Sequence, residues 1–267
     1  MARRLKLFTT LSSAAAASAL IVGCGGEGEG EGHGSDATSS NVAASEGEGE
    51  GESEGEGAVK PDTKIGYIAT LLQIEGHLRA GTALYISGEV EMAALHMKHP
   101  GDELYAGVAS VFKTYGHKGL ADELSAMADA VENGESEDTV IARFDALEES
   151  VAEAILSADP TVKDLLLAAH ATLTSAGAEL EIAIKDGVII EPHEYQDAHG
   201  FILATSMLLA ELDSTDGADR DAIDTAREQV GLALAQVPSV SIPTEVTADP
   251  SVVFGAAARI ELAALGL

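Results

Sequence analysis

Apolar residues recur every three or four positions along the chain from residue 60 onward. This spacing places them on one face of an α-helix, as in the stripe formed by Ile68, Leu71, Leu72 and Leu78. Breaks in the pattern coincide with glycine and proline, which separate successive helices. The pattern predicts helices at about residues 62–87, 92–99, 104–112, 120–131, 141–155, 159–185, 191–212, 218–236 and 249–266.

Proline and glycine set the limits of several predicted helices. Gly88 ends the first helix, and Pro100-Gly101 end the second. Three helices start at an acidic residue followed by a proline, namely at Asp159-Pro160, Glu191-Pro192 and Asp249-Pro250. Only the stretch GVII at 187–190 indicates a strand. We therefore predict an all-α fold for residues 60–267, an antiparallel bundle of eight or nine helices.

The N-terminal residues have the layout of a secretory signal. A basic segment at 3–6 precedes an apolar run at 14–23, which is too short and too often interrupted by Ser and Thr to span a membrane. The tetrapeptide IVGC, which ends at Cys24, resembles the lipobox of bacterial lipoproteins. The resemblance implies that residues 1–23 are removed. It also implies that acyl chains such as palmitate on Cys24 anchor the protein in a membrane.

The segment that follows the cysteine predicts a tether. Residues 24–59 consist largely of Gly and Glu, with ten acidic side chains and no Lys or Arg. Glycine disfavours helix and strand interiors, and the repeated glutamates repel each other, so we expect a disordered, extended linker. By the lipoprotein resemblance, Gly25 favours the outer membrane. The helical domain then faces either the periplasm or the cell surface.

The charge of the chain excludes one class of partner. The sequence has 45 acidic and 15 basic side chains and a formal net charge of −30. Such a chain is repelled by nucleic acid and by anionic membrane surfaces, so we exclude nucleic-acid binding. The same charge suits metal ions or cationic partners. With Cys24 lipidated, no cysteine remains for a disulfide, and stability must come from an apolar core.

Two stretches of the helical domain resemble each other, residues 80–99 and 176–199. Each has an Ala-Gly pair, an apolar turn, a glycine break and a helix with two histidines. One more histidine lies upstream of each stretch, His77 or His170. A diverged duplication and a chance similarity both explain this pattern. A duplication would give two related helical hairpins.

The first hairpin brings histidines to one level. His77 lies 11 residues before Gly88 and His99 lies 11 residues after it. At a rise of about 1.5 Å per residue, both lie about 16 Å from the turn, on neighbouring helices. His96 lies one turn from His99 on the same face. The candidate metal ligands of this hairpin are His77, His96, His99, Glu75 and Glu103.

The second hairpin predicts a looser set around the turn at Gly187. Its candidate ligands are His170, His193 and His199. Imidazoles suit iron, copper, zinc and nickel, and nearby carboxylates shift the preference toward iron or manganese. The expected cofactor is iron or copper. Structural roles stay open for all of these histidines, because a histidine also caps helix ends or forms hydrogen bonds in a core.

The helical domain is similar in organisation to imelysin-like periplasmic proteins, which are acidic helical bundles linked with iron uptake. That family carries a Gly-x-His-x-x-Glu motif. Around His77 the glycine directly precedes the histidine and Ala80 replaces the glutamate, and Gln196 lies three residues after His193. Neither place has the motif, so no residue roles are transferred from the family.

Three hypotheses for the function follow from the sequence. The first is a lipid-anchored envelope protein that binds a transition metal ion and serves an envelope transporter or receptor. The second is a structural or protein-interaction lipoprotein with no metal site. The third is a metal-dependent enzyme, which needs an open coordination position and a cleft. Metal content separates the first two, and turnover of a substrate tests the third.

Overall fold

The computed structural model of the protein describes residues 60–267, except for the side chain of Asp102. The predicted signal segment, the lipidation site Cys24 and the tether lie outside the described residues. The helices are α1 (Lys64–Ser87), α2 (Val90–His99), α3 (Tyr105–Thr114), α4 (Ala121–Glu132), α5 (Glu137–Ser157), α6 (Val162–Ala183), α7 (Pro192–Glu211), α8 (Gly217–Leu234) and α9 (Pro250–Leu265). The predicted all-α bundle is confirmed in this part of the chain.

Two of the three predicted starts at proline are confirmed, because α7 begins at Pro192 and α9 begins at Pro250. The predicted start of α6 at Asp159 is wrong. The N-cap is Thr161, whose hydroxyl accepts from the Asp164 N–H while the Asp164 carboxylate accepts from the Thr161 N–H. Asp159 has a φ of 48°, so it turns the chain before the helix starts.

The predicted helix end at Pro100 is wrong. The chain continues through a π-helical turn, Pro100–Leu104, directly into α3. Proline has no N–H to donate to the preceding turn, and the Tyr105 N–H bonds to the carbonyl five residues earlier. Because the helix does not stop, Glu103 lies one turn after His99 and next to it.

The chain between α6 and α7 reverses through a small antiparallel hairpin of β1 (Ile184–Lys185) and β2 (Val188–Ile189). Gly187 has a φ of 75°, in the left-handed region that glycine adopts without strain. The predicted strand at GVII is confirmed, although it pairs over only two residues on each side.

Eight of these nine helices, all except α3, form two rings of four that share the same neighbour order. In the first ring α1 contacts α2, α2 contacts α4, α4 contacts α5, and α5 returns to α1. In the second ring α6, α7, α8 and α9 contact one another in the same sequence. Helix α1 also packs against α6 and α7, which joins the rings. A diverged duplication would produce this shared order, and the duplication itself stays a prediction.

The core lies along α1 and its neighbours. Leu71, Ile74 and Leu78 of α1 are fully buried, and alanines such as Ala168 and Ala176 of α6 allow the helices to pack closely. Among residues 60–267, no helix is long and apolar enough to cross a membrane.

Candidate metal centre

Three helices place four histidines around one buried carboxylate. Helix α1 contributes His77, α2 contributes His96 and His99, and α7 contributes His193 and Asp197. The Asp197 side chain is 1% exposed. Its Oδ1 lies 2.5 Å from Nδ1 of His77 and 2.9 Å from Nδ1 of His96, and its Oδ2 lies 3.1 Å from Nδ1 of His193. The two hairpins therefore contribute to a single centre.

The two nitrogens that face Oδ1 do not form well-directed hydrogen bonds with it. Nδ1 of His77, Nδ1 of His96 and Oδ1 of Asp197 are all buried without a hydrogen-bond partner. Nε2 of His96 lies 3.0 Å from Oε1 of Gln196, which accepts and so keeps the ring proton on Nε2. Nδ1 of His96 is then the ring nitrogen that faces the carboxylate of Asp197. Converging nitrogen and oxygen lone pairs form a suitable ligand set for a metal ion.

His99 and His193 form the solvent side of the centre. Their side chains are 27% and 20% exposed, whereas the side chain of His96 is fully buried. The rings of His96 and His193 stack with centroids 4.1 Å apart, and the His99 ring centroid lies 5.0 Å from that of His193. Glu103 Oε2 lies 2.7 Å from His99 Nε2 and is largely exposed. The histidines thus lead from solvent to the buried carboxylate.

The potential ligand atoms fall into two groups that share Asp197. We call His77, His96 and Asp197 the inner group, and His99, His193 and Asp197 the outer group. Within each group the atoms lie within 4.8 Å of one another. All members of the inner group are buried, whereas the two histidines of the outer group are partly exposed.

The surroundings of the centre shift the pKa values of His77 and His193 in opposite directions. Burial lowers the pKa of His77, although the carboxylate of Asp197 acts in the opposite direction. Partial burial also opposes the charged form of His193, but its hydrogen bond to Asp197 and the surrounding carboxylates outweigh this and raise its pKa. The histidines in turn overcome the effect of burial on Asp197 and hold its pKa well below the usual range. Around the one carboxylate of Asp197, the pKa of His193 is thus raised and that of His77 lowered.

Two further carboxyl groups lie beside the centre, Glu179 on α6 and Glu194 on α7. Burial, the hydrogen bond to Glu194 and the charge of Glu194 raise the pKa of Glu179 to about 9, and Asp197 and Glu103 add to the effect. Glu179 is therefore protonated at neutral pH. Burial and the neighbouring carboxylates together keep Glu179 neutral, and a bound cation would relieve the repulsion among these carboxylates.

Close helix crossings position the histidines. A Cβ on Gly76 of α1 would lie 2.9 Å from the Gly200 carbonyl carbon and 2.7 Å from Cδ1 of Phe201, both on α7. A Cβ on Gly81 would lie 3.1 Å from Cβ of His96 on α2. Larger residues at these positions would push α2 and α7 away from α1. The crossings therefore bring the ligands of three helices within reach of one another.

One predicted ligand of the first hairpin, Glu75, belongs to a different network. Its Oε1 accepts from Arg79 Nη2 at 2.6 Å, and Arg79 also pairs with Glu148 of α5. The Arg79 guanidinium lies 5.1 Å from the ring centroid of Phe144. This network links α1 to α5 and directs the Glu75 carboxylate toward Arg79, so Glu75 is not part of either ligand group.

The predicted second centre does not assemble in the described part of the chain. His170 Nδ1 donates to the Ala257 carbonyl at 3.1 Å, and His199 Nδ1 donates to the Val237 carbonyl at 2.8 Å. Each ring therefore fixes a contact to a neighbouring helix or loop. His193, the third residue predicted for that centre, instead joins the centre built on α1 and α2.

Sequence reasoning missed Asp197 and Gln196. Asp197 lies four residues after His193 on the same face of α7, and this spacing was the available signal. Gln196 had no comparable signal, because its role depends on the approach of His96 from another helix.

Residues 161–264 match the family model described as the iron permease-associated 4-helix bundle domain. This segment is similar to that domain. It spans α6 to α9 and carries His193 and Asp197, whereas the α1 and α2 ligands precede it. The match covers less than half of the chain. No curated protein and no solved structure matches the chain. The lipoprotein signal and the likeness to imelysin-like proteins stay predictions.

Proposed function

We propose that this protein is a lipid-anchored protein of the bacterial envelope that binds iron and serves an iron permease. The convergence of buried Nδ1 of His77, Nδ1 of His96 and Oδ1 of Asp197, without hydrogen bonds among them, carries the proposal. Buried polar atoms left without partners are costly, by about 1–3 kcal/mol each. A metal ion bound by all three atoms would remove this cost and balance the negative charge around the centre.

The ligand types favour iron over copper. Asp197 lies at the centre and Glu103 beside it, and carboxylates mixed with imidazoles suit iron. Copper(I) favours thioether or thiolate sulfur, but the thioether end of Met97 packs beside Gly81 of α1. The similarity of residues 161–264 to an iron permease-associated domain supports the same ion and the same type of partner.

Two cavities in the described part of the chain lie away from the metal centre. One of about 560 Å³ lies between α8 and α9 and is lined by residues such as Gln229 and Val252. A second of about 140 Å³ lies beside the loop at 235–248. Neither of these two cavities is lined by a histidine of the centre.

The test is the iron content of the full chain, purified without a histidine tag and loaded with Fe(II) in the absence of oxygen. Mass spectrometry of the metal should find at least one iron per chain. A His77→Ala/His96→Ala variant should bind less iron per chain than the native protein, whereas His170→Ala should keep the native iron content, because His170 binds a backbone carbonyl away from the centre. No iron above background in the native chain would overturn the proposal and favour a structural or interaction role.

The role in uptake is tested in cells. A strain that lacks this protein should accumulate less radioactive iron from a low-iron medium. The native chain should restore uptake, and Asp197→Asn should not. A Cys24→Ala variant should leave the membrane fraction if the anchor is as proposed. Restoration of uptake by Asp197→Asn would contradict a role for the centre in transport.

A further inference from the structure

Asp197 presents its two carboxylate oxygens to different histidines. Oδ1 lies 2.5 Å and 2.9 Å from the Nδ1 atoms of His77 and His96, whereas Oδ2 lies 3.1 Å from Nδ1 of His193. A carboxylate that offers one oxygen to each of two ligand sets has the arrangement of a bridge between two metal ions.

The distances among the ligand atoms do not fit one ion bound by all five residues. Bonds of about 2.0–2.2 Å place two ligands of the same ion no more than about 4.4 Å apart. The inner and outer groups each lie within 4.8 Å, so each can close around one ion with small side-chain movements. The four histidines and Asp197 together do not form one group of this size.

The two positions differ in their access to solvent. The ligand atoms of the inner group are buried without hydrogen-bond partners, and the ring of its member His96 stacks on the ring of the partly exposed His193. The outer group has partly exposed histidines, and the exposed carboxylate of Glu103 lies next to His99. An ion that comes from solvent therefore meets the outer group first.

We propose that the centre holds two metal ions, bridged by Asp197, with the inner ion on His77 and His96 and the outer ion on His99 and His193. This inference rests on the proposed metal-binding function. The outer position exchanges ions with solvent, and the inner position fills through it. The stacked ring of His193 closes the inner position on its solvent side, so the inner ion dissociates more slowly than the outer ion.

The experiment is a titration of the full chain with Co(II), followed by its visible absorption bands and by metal content after gel filtration. The native chain should saturate at two equivalents. The variant His99→Ala/His193→Ala should saturate at one, bound at the inner group. The variant His77→Ala/His96→Ala should also saturate at one, bound at the outer group, and it should release that ion at least tenfold faster to a chelator. His170→Ala should behave as the native chain.

The outcomes separate this inference from the proposed function. Saturation of the native chain at one equivalent, unchanged in the outer-group variant, would overturn the two-ion centre but keep the metal-binding function. No bound cobalt and no bound iron would overturn both. Far-UV circular dichroism checks the fold of each variant. If the inner-group variant does not fold, the stoichiometries of the native chain and of the outer-group variant decide the question.

Discussion

Gly76 on α1 and Gly200 on α7 face each other where the two helices cross. A Cβ on Gly200 would lie 2.8 Å from the carbonyl carbon of Gly76, closer than side chains approach a backbone. His77 follows the first glycine, and Asp197 lies almost one turn before the second. The crossing therefore sets the distance between a ligand on α1 and the central carboxylate on α7.

A Gly200→Ala substitution tests this relationship. The added methyl group forces the helices apart, so we expect the free energy of unfolding to fall by about 1–3 kcal/mol and iron affinity to fall with it. Urea denaturation and metal titration measure the two effects.

Gly231→Ala is the matched control, because a Cβ at that position of α8 meets nothing within 4 Å. Alanine favours helix interiors over glycine, so this variant should gain about 0.5–1 kcal/mol and keep its iron affinity. A Gly200→Ala variant as stable as the native chain would show that the crossing is not tight.

An Asp197→Asn substitution keeps the shape of the side chain but removes its charge. Because the hydrogen bond and charge of Asp197 raise the pKa of His193, that pKa should fall in the variant. NMR titration of the His193 ring measures the shift, with the exposed Asp138→Asn as control. An unchanged His193 pKa would mean that other carboxylates set its charge.

Gln196→Leu removes the acceptor that keeps the His96 ring proton on Nε2. The ring then loses its orientation, and iron affinity should fall by about 10- to 100-fold, as for other residues that orient metal ligands. Competition with a chelator measures the affinity. Gln236→Leu, whose side chain accepts from the Asp249 N–H and belongs to neither ligand group, is the control. Equal iron affinities of the two variants would show that Gln196 does not orient His96 for metal binding.

Much of the fold was predictable because helix faces and turns are local properties. Gly88 sets the register of α1 and α2, and this register brings the rings of His77 and His99 to 5.1 Å, as the sequence predicted. The spacing of four residues from His193 could have marked Asp197 as a candidate ligand, but its central position depends on the crossing of α1 and α7 and could not be predicted. His199 could not be assigned from the sequence either, since a backbone carbonyl in a distant loop is its partner.

Glu179 makes stability depend on pH. Its pKa is about 9 in the folded protein and 4.5 in the unfolded chain, so the unfolded chain loses the proton first as pH rises. The stability that Glu179 contributes is therefore complete below about pH 4.5 and is lost as pH rises toward about 9. In metal-free protein, Glu179→Gln should remove the fall in the free energy of unfolding that Glu179 causes as pH rises. Urea denaturation between about pH 4.5 and pH 9 measures this effect.

The control for Glu179 is Glu181→Gln, an exposed position two residues later on the same helix. The free energy of unfolding of Glu181→Gln should depend on pH as it does in the native chain, because the overall negative charge affects the two proteins alike. Parallel stability curves for native and Glu179→Gln protein would contradict the assignment of a neutral carboxyl group.

Arg79 is expected to support the fold and not the metal centre. Arg79→Met leaves the buried carboxylate of Glu75 without its partner, so the free energy of unfolding should fall by about 3–5 kcal/mol. Glu75→Gln should retain full iron stoichiometry, because its side chain points to Arg79 and not to the histidines. Loss of iron in Glu75→Gln would show that Glu75 is a metal ligand after all.

X-ray absorption at the iron edge, on full chain loaded with Fe(II), tests the central claim most directly. We predict a nitrogen and oxygen shell at about 2.0–2.2 Å with the outer-shell scattering of imidazole rings. That scattering should weaken in His77→Ala/His96→Ala and persist in His170→Ala. A spectrum with oxygen neighbours alone, the same in all three proteins, would show that the histidines around Asp197 do not bind iron.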